Sequence, residues 1–128
     1  MNVMGASVLI VDDDVSTCAG MAELLRHAGH DAQATTTFED ARAILARRTP
    51  DLLIVDIRLG EFNGLQLIML SRTQIPAIVI SGFADPLLEH EARQAGAEFL
   101  VKPVVPAELL ALVQQKLSQA PVPATRRL

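Results

Sequence analysis

Four short apolar runs punctuate the chain, at residues 8–11, 52–55, 77–80 and 99–101. Each is too short for a helix and too continuous for a strand with one wet face, so they predict strands buried on both sides in a parallel sheet. The segments between them carry the helical period. Cys18, Met21, Ala22, Leu25 and Ala28 share one face of a first helix, and Gly29 follows as its stop. Thr37 with Asp40 makes a capping pair ahead of Ala41, Ile44 and Leu45, and Pro50 closes this second helix. A third helix is predicted over 64–71, a fourth over 86–95 with Gly96 as stop, and a fifth over 106–118. In the fifth, Leu109, Leu110, Leu112, Val113 and Leu117 form an apolar stripe suited to packing on a sheet. The weakest element is 31–36, polar enough to suit an edge strand beside the first.

The order is β-α repeated five times. Right-handed crossovers then point the carboxyl ends of all strands to one rim of the sheet, where ligands bind in such folds. Composition narrows the setting. The chain has 128 residues and a formal net charge of −4, which fits one acidic domain of 1–118 followed by an aperiodic, flexible tail over 119–128. Acidic residues outnumber basic ones 15 to 11, which argues against direct nucleic acid binding. Cys18 alone makes no internal disulfide, no apolar stretch reaches spanning length, and the expected address is cytoplasmic with no membrane association.

The polar residues that end the apolar runs carry the chemistry. Asp12 and Asp13 close the first strand, Asp56 the third and Ser81 the fourth, and Lys102 follows the fifth. Singly, each has an ordinary explanation: Asp14 and its neighbours can cap a helix, Asp56 can open a turn, Ser81-Gly82 is common turn chemistry, and Lys102 can be a solvated lysine. Together they converge on one crevice. Three clustered carboxylates need a raised pKa or a bound cation, and oxygen-only ligands favour Mg2+. A lysine and a hydroxyl beside them suit phosphoryl oxygens, and a carboxylate can be the nucleophile that forms an aspartyl phosphate.

These residues resemble the response-regulator receiver domains of two-component signalling over about residues 6–118. The pattern is carried by Val-Leu-Ile-Val-Asp12-Asp13-Asp14, Leu-Ile-Val-Asp56 through Gly64, Ile-Ser81-Gly82 and Phe99-Leu-Val-Lys102-Pro103. The resemblance implies a doubly wound, flavodoxin-like (βα)5 fold with strand order 2-1-3-4-5. It implies that Asp56 accepts a phosphoryl group from a sensor histidine kinase or a histidine phosphotransfer protein. Asp13, Asp56 and the backbone carbonyl of Arg58 would hold Mg2+, with Asp12 assisting through water. Lys102 would contact the phosphoryl oxygens, Ser81 and the amide of Gly82 would sense the modified state, and Phe99 matches the aromatic switch position. Core packing describes Phe99 equally well. The output would be a reshaped face made by the fourth helix, fifth strand and fifth helix, and the chain would catalyse only its own phosphorylation and dephosphorylation. The resemblance implies that the partner would be a downstream protein or a missing effector domain, and that the chain would be a monomer or a phosphorylation-dependent dimer.

Two features depart from the family pattern. Gly60 stands where proline is common, and 64–76 is several residues short, which predicts a trimmed third helix or exit loop. Arg58 and Phe83 occupy variable places flanking the pocket, where Phe83 would either hinder attacking water or simply face solvent. His27, His30 and His90 lack metal-ligand spacing and are expected at the surface, and Cys18 is expected to be a small buried side chain. The enzymatic alternative is a haloacid-dehalogenase-like phosphatase using Asp12 and Asp14, which lacks a later acidic motif here, since only Glu108 follows Lys102. A flavin-binding module ranks below it because the first strand-helix loop is acidic.

Overall fold

The computed structural model describes residues 3–71 and 74–119. The predicted apolar runs become strands β1 (Ser7–Val11), β3 (Leu52–Asp56), β6 (Ala77–Ser81) and β7 (Ala97–Val101), and the polar segment Asp31–Thr35 is β2. They form one parallel sheet in the order β2-β1-β3-β6-β7. Counting the strands of this sheet alone, that is the 2-1-3-4-5 order of the flavodoxin-like fold. Every residue of β3 and β6 is buried. Side chains alternate between two cores: Leu9, Leu53, Val55 and Val79 face one, with Ala41 and Ala92, while Ile10, Ile54, Ile78 and Ile80 face the other, with Leu25 and Leu109. A sheet covered on both faces is what continuous apolar runs require.

The helices are α1 (Val15–His27), α2 (Phe38–Arg47), α3 (Leu65–Leu70), α4 (Pro86–Gln94) and α5 (Pro106–Gln119). Their starts follow the sequence signals. The Asp14 carboxylate accepts from the Thr17 N–H, Thr37 Oγ from the Asp40 N–H, and Asp85 from the amides of Leu87 and Leu88, with Pro86 opening α4. α5 extends one residue beyond the predicted end, and the predicted tail otherwise lies outside the described residues. α3 spans only 6 residues, in line with the short 64–76 segment. Cys18 is buried, its thiol 3.5 Å and 3.4 Å from the carbonyls of Ile10 and Thr35, and burial pushes its pKa up.

Two features were not anticipated. A small hairpin, β4 (Arg58–Leu59) with β5 (Phe62–Asn63), follows β3 directly. Its two-residue loop begins at Gly60, whose φ of +62° is open to glycine and closed to proline, so the departure at this position has a backbone cause. The ring of Phe62 stacks on Phe38, the first residue of α2, with centroids 4.3 Å apart, which anchors the hairpin. The second is a correction: His30, expected at the surface, is only 5% exposed. Gly29, at φ +94°, reverses the chain after α1, and the His30 amide bonds back to the Leu25 carbonyl. The imidazole is thereby carried inward, where Nδ1 accepts from the Ala6 N–H at 3.3 Å.

Candidate functional site

Strand register brings the acidic side chains together. Val11 and Val55 are partners in the β1–β3 ladder, so Asp12 and Asp56, each the next residue, emerge side by side at the carboxyl rim. Asp13 follows on the loop and is exposed, whereas Asp12 and Asp56 are buried. One carboxylate oxygen from each of the three lies within 4.8 Å of the others. The β6–β7 ladder supplies the counter-charge. Ser81 pairs with Val101, and the Lys102 amide donates to the Ser81 carbonyl at 2.7 Å, carrying the ladder to the same rim. Lys102 Nζ stands 2.7 Å from Asp56 Oδ2 and 3.2 Å from Asp12 Oδ2. The peptide bond from Lys102 to Pro103 is cis.

Backbone amides orient the remaining oxygens. Asp56 Oδ1 accepts from the Arg58 N–H at 2.9 Å, and Asp12 Oδ1 from the Asp14 N–H at 2.9 Å. Burial raises the Asp12 pKa, the neighbouring Asp56 charge adds to the rise, and the Asp14 amide and Lys102 oppose it. For Lys102, burial alone acts downward, but the hydrogen bond to Asp56 and the charges of Asp12 and Asp56 prevail and hold the ammonium above the ordinary lysine value. Asp12 Oδ2 is buried and, although within ion-pair range of Lys102, is not aligned for a hydrogen bond. A buried carboxylate oxygen with coordination to spare, grouped with two further carboxylates and, among the described residues, with no histidine or cysteine, fits a hard divalent cation such as Mg2+.

The floor behind Asp56 depends on Gly64. A Cβ there would stand 2.1 Å from the Asp56 carbonyl oxygen, so the chain after the hairpin can pass this close only as glycine. The Gly64 amide donates to the Ile57 carbonyl at 2.8 Å, closing the loop that carries Asp56. Gly64 stood in the sequence pattern without a role, and the signal available was its place shortly after Asp56.

The other expected site residues lie around this centre. Ser81 is buried; its hydroxyl donates to the Phe83 carbonyl at 2.8 Å and accepts from the Phe83 N–H at 3.3 Å, so its bonds run to the loop and not to the carboxylates. Gly82 is exposed with open space where a Cβ would be. Phe99 is buried in the core beside Val79, its strand partner, so the core description applies to it. Asp14, which the phosphatase alternative needs beside Asp12, has its carboxylate engaged in capping α1.

The family model described as the response regulator receiver domain matches residues 8–114. Response regulator protein FleR of Pseudomonas aeruginosa is 35% identical over 124 residues, covering 92% of this chain and 26% of FleR. The chain therefore spans about a quarter of the length of that relative. An uncharacterized 14.6 kDa protein of Leptolyngbya boryana is 32% identical over 114 residues, covering 84% of this chain and 87% of that protein. Among solved structures, a CheY-like receiver domain protein from Methanospirillum hungatei superposes with a TM-score of 0.82 at 26% identity, covering 90% of this chain and 95% of that one. The chain belongs to the response regulator receiver domains, signalling modules with a phosphoacceptor role in two-component systems.

Proposed function

We propose that Asp56 is the phosphoacceptor and that a sensor histidine kinase or a histidine phosphotransfer protein is the donor. The observation that carries this reading is the position of Lys102 Nζ, 2.7 Å from Asp56 within a cluster of three carboxylates at the rim. An Asp56 oxygen attacks the donor's phosphorus, the phosphorus–nitrogen bond breaks, and its electron pair returns to the imidazole, which takes up a proton. The carboxylate loses its own charge but gains a more highly charged phosphoryl group, and Lys102 stays to neutralise it. Asp12, Asp13, Asp56 and the Arg58 carbonyl would hold Mg2+, which when bound supplies charge neutralisation at the phosphoryl oxygens.

Ser81 is the reporter in this reading. Its hydroxyl exchanges the Phe83 carbonyl for a phosphoryl oxygen, assisted by the Gly82 amide, and Phe99 repacks as the β6–α4 loop adjusts. Phosphorylation shifts the equilibrium only by its differential contacts with the two states, and those contacts are made by Ser81, Gly82 and Lys102. The altered face of α4, β7 and α5 then meets a downstream protein or an effector domain beyond this chain, with a phosphorylation-dependent dimer as one form of output. Among the described residues no helix is long and apolar enough to cross a membrane.

Incubation with acetyl phosphate and Mg2+, followed by intact-mass and peptide mapping, tests the assignment. One phosphoryl group is expected on Asp56 and none in Asp56→Asn. A label that survives Asp56→Asn and disappears in Asp12→Asn would move the acceptor and favour the phosphatase chemistry.

A further inference from the structure

We propose that the cleft between α2 and α3 docks an acidic, amphipathic segment of a partner protein. The cleft is a cavity of about 450 Å³ at the opposite rim from Asp56. Its lining includes the end of α2, the end of α3, and Ile75 just ahead of β6, so it opens at the amino ends of the parallel strands. Leu45, Leu67, Leu70 and Ile75 are its apolar lining; Leu67 and Ile75 are buried at its base, and half-buried Leu45 with exposed Leu70 offer the apolar surface a partner can reach. Six-residue α3 ends at Leu70, which is 56% exposed, and its neighbour Met69 is 76% exposed. Leu70 therefore carries apolar surface from the cavity lining out to solvent, where the side chain of a partner segment can meet it.

Arg42, Arg47 and Arg48 also line the cavity. Among the described residues none of the three is ion-paired to a carboxylate, although the protein as a whole is acidic. The Arg48 guanidinium is held by Gln33, and Arg42 and Arg47 are exposed on α2. A positive rim around an apolar recess complements a segment that inserts one bulky apolar side chain and aligns carboxylates with the guanidiniums, which bind them in a planar, forked geometry. Because the cleft lies at the far rim, such a partner leaves Asp56 open to its donor.

The probe is a random 16-residue peptide library displayed on phage and selected on the full chain. Enriched peptides are expected to place Asp or Glu around a Leu or Phe, and to bind about tenfold more weakly to Arg42→Glu/Arg47→Glu, with the milder Arg42→Gln/Arg47→Gln as a check on folding. Phosphorylation of Asp56 by acetyl phosphate should be unchanged in both. The proposal is overturned by enrichment without acidic bias, by no enrichment, or by binding indifferent to the arginines. It is equally overturned by displacement of the peptides by ATP alone, the mark of a small-anion site, or by a concentration-dependent dimer lost in the double variant, the mark of a second copy.

Discussion

The guanidinium of Arg58 lies 5.3 Å from the centre of the Phe83 ring. Arg58 opens the β4–β5 hairpin after β3 and Phe83 lies on the loop after β6, and each is tied by its backbone to a site residue. The Arg58 amide donates to Asp56, and both the amide and the carbonyl of Phe83 bond the Ser81 hydroxyl. The pair thus spans the segments on either side of Asp56, where, on the proposed role of Asp56, it would restrict the approach of water to an aspartyl phosphate. Phe83→Ala keeps the backbone bonds to Ser81 and removes only the ring. It is expected to hasten loss of phosphate on the order of tenfold. Arg58→Ala should act in the same direction by about two- to fivefold, the worth of an exposed cation–π contact. Phosphate release followed after removal of the donor checks both, and slower release from either variant would exclude a shielding role.

Asp13 offers a test of the cation site with little structural cost, because its side chain is exposed whereas Asp12 and Asp56 are buried. A cation that binds only the folded chain stabilises it by about 1.4 kcal/mol at ten times its dissociation constant, or a few degrees in Tm. Mg2+ should raise the Tm of the protein by about that amount and of Asp13→Ala by much less. Equal rises in both, measured by thermal melts across a Mg2+ titration, would place the ion elsewhere.

Gly64→Ala probes the packing behind Asp56. The new methyl would meet the Asp56 carbonyl oxygen at 2.1 Å, a clash with backbone that no rotamer relieves. Relaxation has to displace the hairpin or the end of β3. A loss of about 2–4 kcal/mol in urea unfolding is expected, together with slower phosphorylation of whatever remains folded. Gly20→Ala is the control, since Gly20 lies within α1 with open space around its Cβ, and alanine there favours the helix. Similar unfolding midpoints for the two variants would mean that the loop gives way freely.

The layout of the sheet was legible because both of its faces are covered. Burial on two sides demands uninterrupted apolar runs, and parallel geometry then sends Asp12, Asp56, Ser81 and Lys102 to one rim. Capping at Asp14 and Thr37 was legible for a similar reason, since a short side chain bonds an amide only three residues away. What escaped was set by distance in the chain. The β4–β5 hairpin is two residues per strand, too short for any period, and the stack of Phe38 on Phe62 joins residues far apart in sequence. The hydrogen bonds that turn Ser81 towards Phe83 depend on loop conformation, which residue type alone does not determine.

His30 shows the same limit and leads to a dependence on pH. Polarity places a histidine at the surface, yet the turn at Gly29 carries it inward, where Nδ1 accepts from Ala6 and Nε2 is buried without a hydrogen-bond partner among the described residues. Burial lowers its pKa from the ordinary 6.5. In the unfolded chain the imidazole takes up a proton as the pH falls through about 6.5, while in the folded protein it resists until lower pH. Between those points the unfolded state binds more protons, so the stability contributed by neutral His30 is complete above about pH 6.5 and declines as the solution is acidified. His30→Asn retains an acceptor for the Ala6 amide and removes the titration. Urea unfolding at intervals from about pH 7.5 to 5 should give a shallower decline for the variant than for the parent protein. Parallel declines would assign the acid sensitivity in this range to other groups.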